Sequence, residues 1–142
     1  MNRILVATDG SAPAGRAVRF AAALSGRYGA QLVILTVSEG LSAGEDLERF
    51  AKLEHATVGD LLEAEAQGIL TNARQLAKEA AAVEAEALVG DPATVILDSA
   101  KTRKVDVIVV GKRGRGRLEG LLMGSVSQKL VSLAPCPIVI VP

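Results

Sequence analysis

The chain has 142 residues with sixteen basic and sixteen acidic side chains, so its formal charge is zero and bulk electrostatics gives no argument for nucleic acid as a partner. Nearly half of the residues are apolar, yet only Phe20, Tyr28 and Phe50 are aromatic. The length suits one domain over residues 1–142, with a core built from Ala, Val, Leu and Ile. No apolar run approaches the roughly 20 residues needed to span a bilayer, so no membrane partner is expected. The N-terminus shows neither an apolar leader core nor a cleavage site. The single cysteine, Cys136, rules out an intrachain disulfide, and together these features point to the cytoplasm.

Asn2–Thr8 contains a first strand, with Ile4–Ala7 as its buried part. Asp9-Gly10 ends it. Ser11 is a candidate N-cap, Pro13 suits the first helical turn, and Ala17, Val18, Ala21, Ala22 and Leu24 give the helix an apolar side. Tyr28-Gly29-Ala30 terminates that helix, and Leu32–Val37 reads as a second strand. Asp9 therefore stands at the carboxyl end of a central strand, where ligands bind in open α/β sheets. Two readings of Asp9 stay open, turn formation and ligand contact.

After a polar loop over Ser38–Gly44, Glu45–Ala82 has helical composition, with Leu47, Phe50, Leu53, Leu61, Leu62, Ile69, Leu70, Ala73, Leu76 and Ala77 apolar. Gly59 and Gly68 leave open whether it is one unbroken helix. His55 has no second histidine or cysteine to complete a metal site and reads as a surface residue. Val83–Val89 alternates, as a less buried strand does. Gly90-Asp91-Pro92 is a turn, with Pro92 opening a helix through Ala100 or Thr102.

Val105–Val110 is a short β-branched run of the kind buried on both faces of a parallel sheet. A glycine- and arginine-rich segment follows as far as Met123. Gly124-Ser125 then opens a helix with Val126, Leu130, Val131 and Ala134 on its apolar side, and Ser125 with Gln128 fits a capping box. Ile138–Val141 is a fifth strand. Cys136, between two prolines beside this strand, reads as a small buried hydrophobe. Alternating strands and helices predict an α/β fold, a doubly wound five-stranded parallel sheet with helices on both faces, Rossmann-like, in one domain.

Strand, glycine-rich basic loop and helix N-terminus together suit phosphate. The first amides of a helix lack intrahelical acceptors and carry partial positive charge. Gly111, Gly114 and Gly124 permit close backbone approach and positive φ. Ser125 and Ser127 add hydroxyls, and Lys112, Arg113, Arg115 and Arg117 add charge. The charge is also uneven along the chain, acid-rich over Glu39–Glu65 and basic over Lys101–Arg117. On charge alone the basic run fits a solvated surface and a polyphosphate site equally. No G-x-x-x-x-G-K-[ST] is present, and Gly114-Arg115-Gly116 with Gly120 is out of register for G-x-G-x-x-G, which disfavours a P-loop and a dinucleotide site.

The spacing of Gly111, Gly114 and Gly124-Ser125 resembles the G-2x-G-9x-G-S/T motif of ATP-binding universal stress proteins. The resemblance extends over the whole chain, through ILVATDGS at Ile4–Ser11, LVILTV at Leu32–Val37, VGDPATVILDSAK at Val89–Lys101 and APCPIVIV at Ala134–Val141. It implies the adenine-nucleotide branch of the fold and a stress-response module that binds ATP, normally with Mg²⁺. Adenine would lie against Asp9 and the backbone of Val37, with Ala7 lining the pocket. Val110 and Gly111 would approach the ribose, and Arg113, Gly114, Gly124, Ser125, Val126 and Ser127 would hold the phosphates. It further implies a homodimer paired through Ile138–Val141. Efficient catalysis is not expected, because Glu119 is the one carboxylate in the glycine loop and Asp9 falls nearer the adenine. A slow ATPase or phosphotransferase and a nucleotide-independent partner-binding dimer are the alternatives.

Overall fold

A computed structural model describes residues 1–39, 58–112 and 124–142. Its strands are β1 (Arg3–Ala7), β2 (Gln31–Ser38), β3 (Ala82–Val89), β4 (Val107–Gly111) and β5 (Ile138–Val141). Its helices are α1 (Ala12–Tyr28), α2 (Val58–Leu76), α3 (Pro92–Arg103) and α4 (Ser125–Leu133). The five strands form one sheet in the order β3-β2-β1-β4-β5, and every pairing is parallel. Val6 lies between Ile34 on β2 and Val109 on β4, which puts β1 at the centre. This is the doubly wound α/β sheet expected from the alternation of elements.

Because side chains alternate across a strand, each central strand feeds two cores. Ile4 and Val6, with Leu32, Ile34, Val107 and Val109, meet Ala17, Val18, Ala21 and Ala22 of α1 and Leu70 and Ala73 of α2. Leu5, Val33, Leu35, Ile108 and Val110 face the other way, against Ile96, Leu97 and Ala100 of α3 and Leu130 of α4. The buried apolar side chains among the described residues are all Ala, Val, Leu or Ile, as composition demanded. Phe20 and Tyr28 stay outside, 45 % and 57 % exposed.

Local chemistry sets the helix ends. The Ser11 hydroxyl accepts from the Ala14 N–H (3.3 Å), Pro13 lies in the first turn, and Gly29 closes α1 at φ 66°, a left-handed conformation that glycine adopts without a Cβ penalty. Asp91 caps α3, its Oδ2 accepting from the Thr94 N–H (3.0 Å) and hydroxyl (2.8 Å). Those two bonds hold its carboxyl below the usual range, with Lys129 of α4 adding to the effect. Ser25 of α1 is fully buried, donating to the Ala30 carbonyl (2.5 Å) and accepting from the Ala81 N–H (3.1 Å). One hydroxyl thereby satisfies two polar groups where α1, β2 and the approach to β3 converge.

Three expectations change. The helix expected to continue to Ala82 ends at Leu76, and Ala82 is already in β3. Gly59 and Gly68 sit within α2 without breaking it, while Leu47, Phe50, Leu53 and His55 lie outside the described residues. Ser125 does not cap α4 through a capping box. Gly124 is the N-cap and makes no side-chain bond, and Ser125 is the first helical residue. Val131 is 53 % exposed, since it sits about 100° around the helix from Leu130 and a nine-residue helix lying on a sheet buries only a narrow stripe.

The two sheet edges differ. On β3, Glu84 and Glu86 bind the Arg103 guanidinium, at 2.8 Å for Glu84, so charge covers that edge. On β5, all four residues are apolar and half-buried. Cys136, just before β5, is half-buried against the α3–α4 core, and burial followed by the nearby Asp106 charge pushes its thiol up.

Candidate functional site

The chain leaves β1 through α1 on one face of the sheet and leaves β4 through α4 on the other, while β1 and β4 are neighbours. This divergence makes the carboxyl ends of β1 and β4 the topological switch point, where doubly wound sheets carry the crevice that binds ligands. Of the residues singled out in the sequence, Ala7, Asp9, Val37, Val110, Gly111, Gly124, Ser125, Val126 and Ser127 are among the described residues and stand at or next to the carboxyl ends of β1, β2 and β4 and the start of α4.

On the β1 side, Thr8-Asp9-Gly10-Ser11 forms a self-bonded turn. Asp9 Oδ1 accepts from the Ser11 N–H at 2.9 Å, Thr8 Oγ1 accepts from the Gly10 N–H at 3.2 Å, and Gly10 has φ 82°. The turn-forming role of Asp9 is therefore present in the geometry, and it fixes the carboxylate at the strand end. Ala7 and Val37 are half-buried and pack on the same side of the sheet as the buried Val110 and the half-buried Val126. These four side chains thus form an apolar floor on the α3–α4 face.

On the β4 side, Gly111 has a structural reason of its own. A Cβ at this position would fall 2.9 Å from the Pro13 carbonyl carbon and 3.0 Å from the Ala14 nitrogen. Gly111 therefore lets β4 lie against the first turn of α1. Neither Gly111 nor Gly124 needs the positive φ expected of them, and Gly124 has φ −74° and ψ 168°. Arg113 and Gly114 lie outside the described residues.

The two ends of the intervening segment are bound together. The Lys112 carbonyl accepts from the Gly124 N–H (2.9 Å), and the buried Ser127 hydroxyl bridges the Gly111 carbonyl (3.0 Å) and the Lys112 carbonyl (3.3 Å). Ser127, read from sequence as a hydroxyl donor to phosphate, uses that hydroxyl to fasten α4 to β4. Its backbone N–H is what it presents to the crevice end of the helix. The Gln128 N–H donates to the Gly124 carbonyl (3.1 Å), so the amides of Ser125, Val126 and Ser127 precede the first intrahelical bond and, as at any helix start, want an external acceptor. With no side-chain cap and an exposed Ser125, this donor set suits an anion.

Lys112 and Asp91 gain importance beyond the sequence reading. Lys112 contributes both peptide groups' worth of ties at the loop base, and only its cationic side chain was visible in the sequence. Asp91 brings the start of α3 close enough to Lys129 for the two charges to interact. Among the described residues no three His, Cys, Asp or Glu side chains gather as a cation site.

The model of the universal stress protein family matches residues 1–142. The universal stress protein YxiE of Bacillus subtilis is 36% identical over 146 aligned positions, covering 99% of this chain and 98% of that protein. Among solved structures, the universal stress protein UspA from Lactobacillus plantarum superposes with a TM-score of 0.82 at 28% identity, covering 99% of this chain and 97% of that one. A universal stress protein solved in complex with cAMP superposes with a TM-score of 0.76, also at 28% identity and with coverage of 99% and 97%.

Proposed function

The chain belongs to the universal stress protein family, and from that premise we propose that it is a nucleotide-binding regulatory module whose ligand is ATP, taken up with Mg²⁺. The observation that carries this reading is the uncapped start of α4, anchored beside the β1 turn at the switch point of the sheet. Its amides supply donors, and the partial positive charge of a helix N-terminus contributes about 0.3–1 kcal/mol per anionic group at an exposed site. The cAMP complex of a structural neighbour supports an adenine nucleotide as the ligand class.

In this reading the adenine rests on the floor formed by Ala7 and Val37 and meets Asp9 and the Val37 backbone. The ribose passes the backbone of Val110 and Gly111. The phosphates meet the amides of Ser125, Val126 and Ser127 and the Ser125 hydroxyl, together with Arg113 and Gly114, while Gly124, its N–H held by the Lys112 carbonyl, sets the start of the helix against them. Mg²⁺ neutralises phosphate charge. Asp9 is the one carboxylate of the set and is already engaged by the Ser11 N–H, so occupancy rather than turnover is the output. The apolar β5 edge, opposite the charge-covered β3 edge, favours a homodimer paired through Ile138–Val141.

The test is to denature freshly purified protein, identify any released nucleotide by mass spectrometry, and titrate the stripped protein with ATP, ADP and cAMP with and without Mg²⁺. Recovered ATP, or saturable ATP binding strengthened by Mg²⁺, is the expected result. Recovered ADP with steady phosphate release would shift the reading to slow hydrolysis. A chain that binds no adenine nucleotide would leave the partner-binding dimer.

A further inference from the structure

The last residue of β5 and the residue that follows it are tied to both walls of the crevice. On the β4 side, the Lys112 N–H donates to the Val141 carbonyl at 2.7 Å, and the carbonyl of the same Lys112 receives the Gly124 N–H and the Ser127 hydroxyl. On the α1 side, Arg16 Nε donates to the main-chain oxygen of Pro142 at 2.8 Å. Arg16 lies one turn into the helix that Ser11 caps, directly after the Asp9 turn. The walls also touch each other, since Gly111 lies against Pro13 and Ala14 closely enough that a Cβ would collide. The end of β5, the exit of β4 and the start of α1 therefore form one hydrogen-bonded and close-packed unit.

Resting on the nucleotide reading above, we infer that Arg16 is a positioning residue that couples occupancy of the crevice to pairing of β5 with a second copy of this chain. The physical basis is a shared element. An anion on the Ser125–Ser127 amides fixes the start of α4, whose Gly124 N–H holds the Lys112 carbonyl. A strand added to β5 fixes Val141, whose carbonyl holds the Lys112 N–H, so the two ligands restrain the backbone of one residue from its two sides. Each ligand orders a group that the other also needs, so each strengthens the other, and linkage makes the effect reciprocal. Arg16 closes the circuit on the α1 side by restraining the residue that follows β5. Its side chain is solvent-exposed and outside the nucleotide contacts, so its loss leaves the two binding surfaces themselves intact.

The experiment is sedimentation velocity over a dilution series of the whole chain, with and without saturating ATP and Mg²⁺, on the wild type and on Arg16→Ala. ATP is expected to lower the wild-type dimer dissociation constant by about 5- to 10-fold, the lower end of ordinary allosteric couplings. In Arg16→Ala, ATP affinity at dilutions where the chain is monomeric is unchanged, and the ATP-induced shift falls below about twofold. As a second readout, exchange of the Lys112 amide slows on adding ATP at low protein concentration and, separately, on raising concentration without ATP. A wild type that binds ATP with an unaltered dimer constant, or remains monomeric throughout, overturns the coupling alone. Full coupling in Arg16→Ala overturns the role of Arg16. Absence of ATP binding overturns the nucleotide reading first, and this inference with it.

Discussion

Gly111→Ala adds one methyl group at the glycine that opens the motif, and the geometry gives its consequence. The new Cβ would lie 2.9 Å and 3.0 Å from backbone atoms of Pro13 and Ala14, and 3.1 Å from the Pro13 Cβ. Backbone cannot rotate away as a side-chain tip can, so α1 and β4 must separate. Overpacking of this kind costs about 1–3 kcal/mol. With a urea m-value of about 2 kcal/mol/M, the unfolding midpoint falls by roughly 0.5–1.5 M. Gly68→Ala is the matched control, because a Cβ there meets nothing within 4 Å on an exposed turn of α2. It gains helix propensity of about 0.8–1 kcal/mol, raising the midpoint by roughly 0.4–0.5 M. Both variants are measured without nucleotide, by circular dichroism in urea, with the slope checked for constancy. A Gly111→Ala midpoint within about 0.2 M of the wild type, beside the expected rise for Gly68→Ala, would refute the packing argument. The first motif glycine would then answer to the ligand alone.

Ser25→Ala removes the buried hydroxyl between the Ala30 carbonyl and the Ala81 N–H and should destabilise by about 1–3 kcal/mol in the same denaturation assay. Ser127→Ala unfastens α4 from Gly111 and Lys112, so calorimetry should show weaker ATP binding together with a stability loss of about 1 kcal/mol. Ser125→Ala, at an exposed position, should weaken binding with stability unchanged. Gly114→Val should abolish ATP binding and leave a folded dimer by sedimentation. Survival of binding would move the phosphates elsewhere. The Asp106 carboxyl accepts from the Arg3 N–H (2.9 Å) and the Asn2 N–H (2.6 Å), and these bonds hold it below the ordinary aspartate value. A lowered folded-state pKa means that its stabilisation is complete above the unfolded value of about 3.9 and is lost as pH falls through the folded value. Asp106→Asn should therefore flatten that part of the acid-unfolding curve.

Local chemistry carried the elements. Ser11, Pro13 and Gly29 bracket α1 because capping and φ preferences act within a few residues. Val107–Gly111 is a strand because a short β-branched run is too apolar for one exposed face. Alternation of such segments was enough for the parallel sheet, and the paucity of aromatics was enough for an aliphatic core. The helix boundary at Leu76 was less legible, since Ala80, Ala81 and Ala82 suit helix and strand alike and only pairing of Ala82 with Gln31 decides.

Around the crevice, the glycine spacing and the helix start were readable because each is a property of consecutive residues. What they do was not. Gly111 is a glycine for Pro13, which lies almost a hundred positions earlier, and the Ser127 hydroxyl answers to carbonyls on the preceding strand. Asp9 is drawn into its own turn by an amide two residues away, a contact legible in sequence, but only the β1–β4 adjacency puts that turn opposite α4. Arg16 and Pro142 meet across 126 positions. A hydrogen bond or a close backbone contact depends on distance in space, and in a doubly wound sheet the strand order sets that distance. The residue types that can serve a nucleotide were thus written in the chain, and the tertiary fold decided which of them face the crevice and which hold its walls together.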